Sequence, residues 1–156
     1  MNVWKLKTHN IDPDGAWQWS RKHERISIGW GNIGDLRSHS YSSADDIKAA
    51  IQLRYPKANN AHAGSRSLWN LFNEMQNEDL VLLSAQKPRV VVVRVLNNYD
   101  WNDQVRFINA VNDDYFHQRQ VEFTNLDPEK VWRSAGGAPT QGENPYQALV
   151  RIGKRA

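Results

Sequence analysis

The chain of 156 residues contains no cysteine. That absence excludes disulfides, thiolate zinc sites, iron–sulfur clusters, cysteine nucleophiles and the zinc deaminase signature together. Long apolar runs are missing as well. The longest stretches, residues 80–85 and 90–96, fall far short of the roughly 18 apolar residues of a membrane span, and the second carries Arg94. A membrane is therefore not among the expected partners. The opening Met-Asn-Val-Trp-Lys-Leu-Lys alternates apolar with polar residues in place of the basic start and apolar core of an export signal, so a cytoplasmic location is expected. No charge sign dominates: Lys plus Arg is 20 against 17 Asp plus Glu, a net charge of +3, which permits a polyanionic partner without requiring one. Methionine and phenylalanine are scarce, at 2 and 4, whereas tryptophan reaches 7. Trp serves best where a flat apolar face meets a ligand while its N–H stays paired, so some of these rings are expected to bind. With 40% apolar and 24% charged residues, the chain reads as a single globular domain over 1–156.

Residues 3–8 alternate with the period of a half-buried strand, and residues 25–30 resume it after an Asp/Pro/Gly turn and a short helix over 16–23. Ser42 or Ser43, followed by Asp45 and Asp46, opens a helix whose buried face is Ile47, Ala50 and Ile51 and which ends at Pro56. Leu68, Leu71, Phe72 and Met75 form an apolar stripe on a second helix, with Ser65 or Ser67 as its cap. Residues 79–85 and 89–96, joined by Gln86-Lys87-Pro88, read as an antiparallel pair of central strands. Residues 97–103 are turn-rich, and 104–114 fit either period. A strand over 118–123, a Gly/Pro-rich loop over 134–144 and a closing strand over 147–152 complete the chain, so 126–156 is read as loop plus closing strand. The expected class is α+β with a mostly β core and no βαβ alternation.

Several motifs fail on their context. Gly29-Trp30-Gly31-Asn32-Ile33-Gly34 spells the dinucleotide-binding fingerprint, yet no helix opens at its last glycine and no parallel repeat surrounds it; a bulge and turn in a curved sheet is the better reading. Asn10, Asp12, Asp14 and Gly15 begin a calcium-loop template that then places Arg21 where the bidentate glutamate belongs. The histidines at 9, 23, 39, 62 and 117 show no metal-binding spacing, and no cofactor or metal is called for. Asp127-Pro128-Glu129-Lys130 reads as a cap and solvent face. What remains is aromatic residues with basic neighbours: Trp17, Trp19, Trp30, Tyr99 and Trp101 with Arg21, Lys22, Arg25, Arg37, Arg66 and Arg119. Stacking rings beside phosphate-seeking cations are how a protein holds an unstacked base. Trp4, Trp69 and Trp132 are assigned to the core, and Trp30, which shares the parity of Ile26 and Ile28, has a core reading beside its binding one.

The order Val3-Trp4-Lys5-Leu6, Trp17, Ile26-Ser27-Ile28-Gly29-Trp30-Gly31, Gly34-Asp35-Leu36 and His117-Gln118-Arg119-Gln120-Val121-Glu122-Phe123 resembles the PUA-like superfamily. It is most similar to the EVE and YTH-like modules attached to modification-dependent restriction enzymes, over roughly residues 3–125. Residues 102–114 are longer than the usual linker, and Phe123 stands where a Trp is common. The resemblance implies a curved mixed sheet or pseudo-barrel of five or six strands flanked by helices. It further implies a non-catalytic domain that takes a flipped, methylated base of DNA or RNA into an aromatic pocket, with a nuclease as a separate partner. Trp30 and its glycine flank match the motif near that pocket, with Trp17, Tyr99 and Trp101 as further matches. Asn32 and Asp35 are the candidates for a polar contact to the base edge. Two other readings stay open: a small RNA-base amidohydrolase of the ASCH type using Lys7 and Thr8, and a protein-interaction domain using Trp101 and residues 102–114.

Overall fold

The computed structural model describes residues 1–38, 41–85, 87–137 and 147–154. Seven strands and four helices follow one another as β1 (Asn2–Lys7), α1 (Pro13–His23), β2 (Arg25–Ile28), α2 (Ala44–Arg54), α3 (Ala61–Trp69), β3 (Leu80–Ser84), β4 (Val91–Val95), β5 (Asp100–Trp101), β6 (His117–Phe123), α4 (Pro128–Ser134) and β7 (Leu149–Lys154). The strands make one curled sheet in the order β2-β6-β4-β3-β1-β7, with β5 paired to β6; the α+β class is as expected, with seven strands among the described residues in place of five or six.

Residue parity in the central strands assigns the two faces of the sheet. Trp4, Leu6, Val81, Leu83, Val93 and Val95 point into the larger core, with Ile47 and Ile51 of α2 and Leu68 of α3. Val3, Leu80, Leu82 and Val92 point the other way, onto Val131 of α4 and Ala135 at its end. Because both faces are covered, β3 reads as an unbroken apolar run. Its entry is pinned by buried Asp79, whose carboxylate accepts from Trp4 Nε1 at 2.9 Å and from the backbone N–H groups of Asn2 and Gln76.

Helix starts follow local chemistry. Asp12 caps α1 by accepting from Gly15 N at 3.0 Å, with Pro13 in the first turn, which accounts for the acidic residues of the calcium-like stretch. Asp127 caps α4 in the same way. At α2 the Ser43 side chain makes no cap bond; Asp46 reaches back to Ser42 N and Oγ instead.

Four expectations need correction. β1 and β3 are parallel neighbours, in register from Val3 with Leu80 to Lys7 with Ser84, because the intervening helices supply a crossover long enough to bring β3 alongside in the same direction. The second helix begins at Ala61, before Ser65 and Ser67, which lie buried within it: Ser65 Oγ donates to the His62 carbonyl, and Ser67 Oγ accepts from Leu149 N. A π-turn over Asn70–Glu74 extends it to Met75. Residues 126–156 hold α4 as well as the closing strand. The Gly/Pro loop falls largely outside the described residues, at 138–146, as do Gln86 of the β3–β4 connection and His39. Residues 104–114 adopt neither period; a lone antiparallel bridge joins Phe107 to Tyr115. Among the described residues no helix is long and apolar enough to cross a membrane.

Candidate functional site

The curl of the sheet brings its two edges to a common cavity of about 610 Å³. Lys7, His9 and Ile11 line it from the end of β1, Ile28, Gly29 and Trp30 from the end of β2, and Ala148 from the approach to β7. Tyr55 and Asn60 enter from the α2–α3 connection, and Val111, Asn112, Asp114 and Tyr115 from the segment before β6.

Trp30 is the one predicted ring in this wall, and the glycines beside it explain its position. β2 stops at Ile28, and Trp30 takes a left-handed conformation, φ 68° and ψ 26°, before a 3-10 turn over Gly31–Ile33. The indole lies toward α3, edge-on to Tyr55 at 5.1 Å, and packs against the same core as Ile26 and Ile28, so Trp30 belongs to that core as well as to the cavity wall. It lies against Gly64, where a Cβ would come 2.5 Å from its Nε1. Gly31 packs so closely on the Asp114 carbonyl and the Phe116 ring that a side chain there has no room.

A buried chain of hydrogen bonds holds that backbone. The Leu36 N–H donates to Tyr99 Oη at 3.2 Å, Tyr99 donates to His117 Nδ1 at 2.6 Å, and His117 Nε2 donates to the Trp30 carbonyl at 3.0 Å. Of the two neutral tautomers, only the Nε2–H form satisfies both imidazole bonds. Burial lowers the His117 pKa to about 4, so the ring is neutral in ordinary buffers.

The polar wall consists of residues that sequence reasoning passed over. Tyr55 donates to Asp114 Oδ2 at 2.6 Å and accepts from the Asn32 N–H at 3.1 Å; burial, then Asp114, raises its pKa. His9 Nδ1 accepts from the Ile11 and Asp12 N–H groups, which leaves Nε2–H to donate to Asn112 Oδ1 at 2.9 Å. Burial chiefly lowers the His9 pKa. The one local signal was the clustering of Asn, Asp and Tyr at 109–115, which followed neither helical nor strand periodicity.

The other predicted residues are dispersed. Tyr99 is buried in the His117 network, away from the cavity lining. Trp101 donates from Nε1 to the Gly31 carbonyl at 3.1 Å and meets Phe116 edge-on, supporting the Trp30 turn from behind. Asp35 is bonded to Arg37, at 2.7 Å for the shortest contact; burial opposes its ionisation, but those bonds hold its pKa below the ordinary value. Asn32 is exposed beside the mouth, with its N–H on Tyr55. Trp17 packs on Phe123 and lines a separate groove of about 350 Å³ with Arg89 and Glu129. Trp19 packs at a tilt against the His23 ring of the same helix, with centroids 5.3 Å apart. Of the residues assigned to the core, Trp4 is fully buried. Trp69 and Trp132 are half-buried, the latter beneath the Arg89 guanidinium at 4.3 Å.

Among the cations, Arg21, Lys22 and Arg66 are exposed. Arg37 bridges Asp35 and Asp100, and Arg25 donates to Gln118 Oε1 at 2.9 Å. Arg119 departs from its phosphate assignment: it is 2% exposed, and its donors go to the carbonyls of Leu71, Met75 and Asn97 and to Asn77 Oδ1. Burial lowers its pKa to about 10, leaving it charged at neutral pH. The Thr8 hydroxyl is buried too and faces the Pro13 and Ser84 carbonyls, so it does not point to a reacting group beside Lys7.

A family model described as a domain of unknown function (DUF8426) matches residues 4–136. No curated protein matches the chain.

Proposed function

The chain belongs to the DUF8426 family, and from that premise we propose that it is a nucleic-acid-binding domain of PUA-like architecture that takes a flipped, modified base into the cavity beside Trp30. The observation that carries this reading is the cavity itself: about 610 Å³, with Trp30, Asn112 and Asp114 among the residues that line it. Ligand pockets run from about 300 to 1,000 Å³ with a few convergent polar groups, and a nucleobase fits that description. Withdrawing a base from a stack costs a few kcal/mol, which stacking on an aromatic face offsets by about 1–3 kcal/mol. Burying a methyl group adds about 0.8 kcal/mol, roughly fourfold in affinity, so a polar contact has to sharpen the choice.

Asp114 replaces Asn32 and Asp35 as the group that supplies this contact. Tyr55 occupies Oδ2, and Oδ1 has no hydrogen-bond partner among the described residues. A carboxylate accepts and does not donate, so it suits an edge that bears an amino group, as those of adenine, cytosine and guanine do, over that of thymine or uracil. Competition between methylated and unmodified oligonucleotides at fixed salt tests the reading. Wild type is expected to prefer one modified base, Trp30→Ala to lose about 1–3 kcal/mol of that binding, and Asp114→Asn to lose discrimination between bases. Weak, equal and fully salt-sensitive binding to every oligonucleotide overturns it.

A further inference from the structure

Resting on the base-binding reading, we infer that the hairpin before β6 is a wedge that enters a duplex where the flipped base has left, so that the substrate is double-stranded. Three observations at one place carry this. First, the segment is a finger with a buried root: Phe107 is 5% exposed, bridges to Tyr115 and meets the His9 ring edge-on at 5.4 Å. Second, its tip is braced. Asn109 N donates to the Asn112 carbonyl at 2.9 Å, the Asn109 side chain accepts from the Val111 and Asn112 N–H groups at 2.8 Å, and Asn112 is tied to His9. Third, the braced tip shows apolar side chains to solvent, with Ile108 57% and Val111 61% exposed, while Val111 and the 59% exposed Ile11 lie in the cavity wall.

Large apolar side chains held out on a stiff turn are a poor choice for a free surface. They suit a site that must remain desolvated once a base has been removed. Apolar wedges of this kind enter base steps and stabilise the unstacked state. Val111 stands in the cavity wall, beside the gap that an extruded base leaves, and Ile108 is exposed on the same hairpin. A single strand leaves no such gap, so the finger has nothing to fill there. The contribution of Ile108 and Val111 is therefore specific to duplexes, unlike that of Trp30, which meets the base in either form.

The test measures binding of the full chain to DNA and RNA oligonucleotides carrying one N6-methyladenine or one 5-methylcytosine, each as a duplex and as the modified strand alone, at one salt concentration. The Ile108→Ser/Val111→Ser variant is compared with wild type, and thermal melts check that it folds. Ile108→Ser alone serves as a second variant because Ile108 stands outside the cavity lining. The expected result is a loss of about tenfold or more on the preferred duplex, with a clearly smaller loss on the single strand. Equal losses on the two forms, or none on the duplex, overturn the wedge while the preference for a modified base stands. If no probe is preferred in either form, the base-binding reading fails and the wedge falls with it.

Discussion

His117 Nε2 donates to the Trp30 carbonyl across 3.0 Å, and this bond between the first residue of β6 and a residue 87 positions earlier holds the cavity wall in place. Trp30 occupies a left-handed conformation that a bulky residue adopts only where its surroundings over-determine it. Here the determinants are the imidazole on its carbonyl, Gly31 against Asp114, and Gly64 beneath its indole. Tyr99 fixes the imidazole from the other side, so a residue expected to touch the base serves instead to position the ring that would.

Stability should depend on pH through His117. The unfolded chain takes up this proton near pH 6.5, whereas the folded chain resists until about pH 4. The contribution is therefore complete above pH 6.5 and is lost as the pH falls toward 4, by about 3 kcal/mol over that window. Urea unfolding midpoints should fall across it, and less steeply in His117→Gln. His9, also lowered by burial, adds a slope of the same sign that the comparison with His117→Gln separates. An unchanged slope in the variant would mean that His117 is already protonated in the fold.

Gly64→Ala sets two effects against each other. Helix propensity alone favours alanine by about 1 kcal/mol. The added Cβ, however, would stand 2.5 Å from Trp30 Nε1 and 2.7 Å from Cε2. Overpacking of this sort costs about 1–3 kcal/mol, so a net loss in denaturant melts is expected together with weaker oligonucleotide binding. A net gain in stability would show that the indole yields freely and is not a fixed wall.

Cations should separate by readout. Arg119→Met removes a buried guanidinium from the carbonyls of Leu71, Met75 and Asn97 and should cost about 3 kcal/mol in unfolding experiments, since these acceptors are left without partners. Exposed Arg21 and Lys22 should do the reverse. Replacing either should shift stability by no more than about 0.5 kcal/mol. Each change should lower the salt slope of nucleic-acid binding by about one unit. A salt slope that falls with Arg119→Met in a folded protein would restore its phosphate role.

Much of the fold was legible locally. β3 and β4 showed as apolar runs around a short polar connection, and α2 by its acidic first turn and its Ile47–Ile51 spacing; α1 was expected only from residue 16, whereas Asp12 and Pro13, read as a turn, in fact cap and open it. The cavity was not. His9 and Asn112 stand 103 positions apart, Tyr55 and Asp114 59 apart, and neither pair has any local pattern to mark it. Trp30 was singled out by its aromatic and basic company and by the resemblance of its glycine-flanked motif, yet that it both packs on the core and lines a cavity was decided by the fold.

The sequence by itself determined a single α+β chain with no thiol chemistry, modest positive charge and an excess of tryptophan, because composition and periodicity record which residues seek burial and at what repeat. Only the tertiary structure decided that β1 and β3 run parallel, that Arg119 is spent on carbonyls, and that Trp30 packs on the core at the wall of a cavity. Each of these is settled by partners distant in the chain, whose hydrogen bonds and close contacts outweigh local preference once the sheet has curled and brought its two edges together.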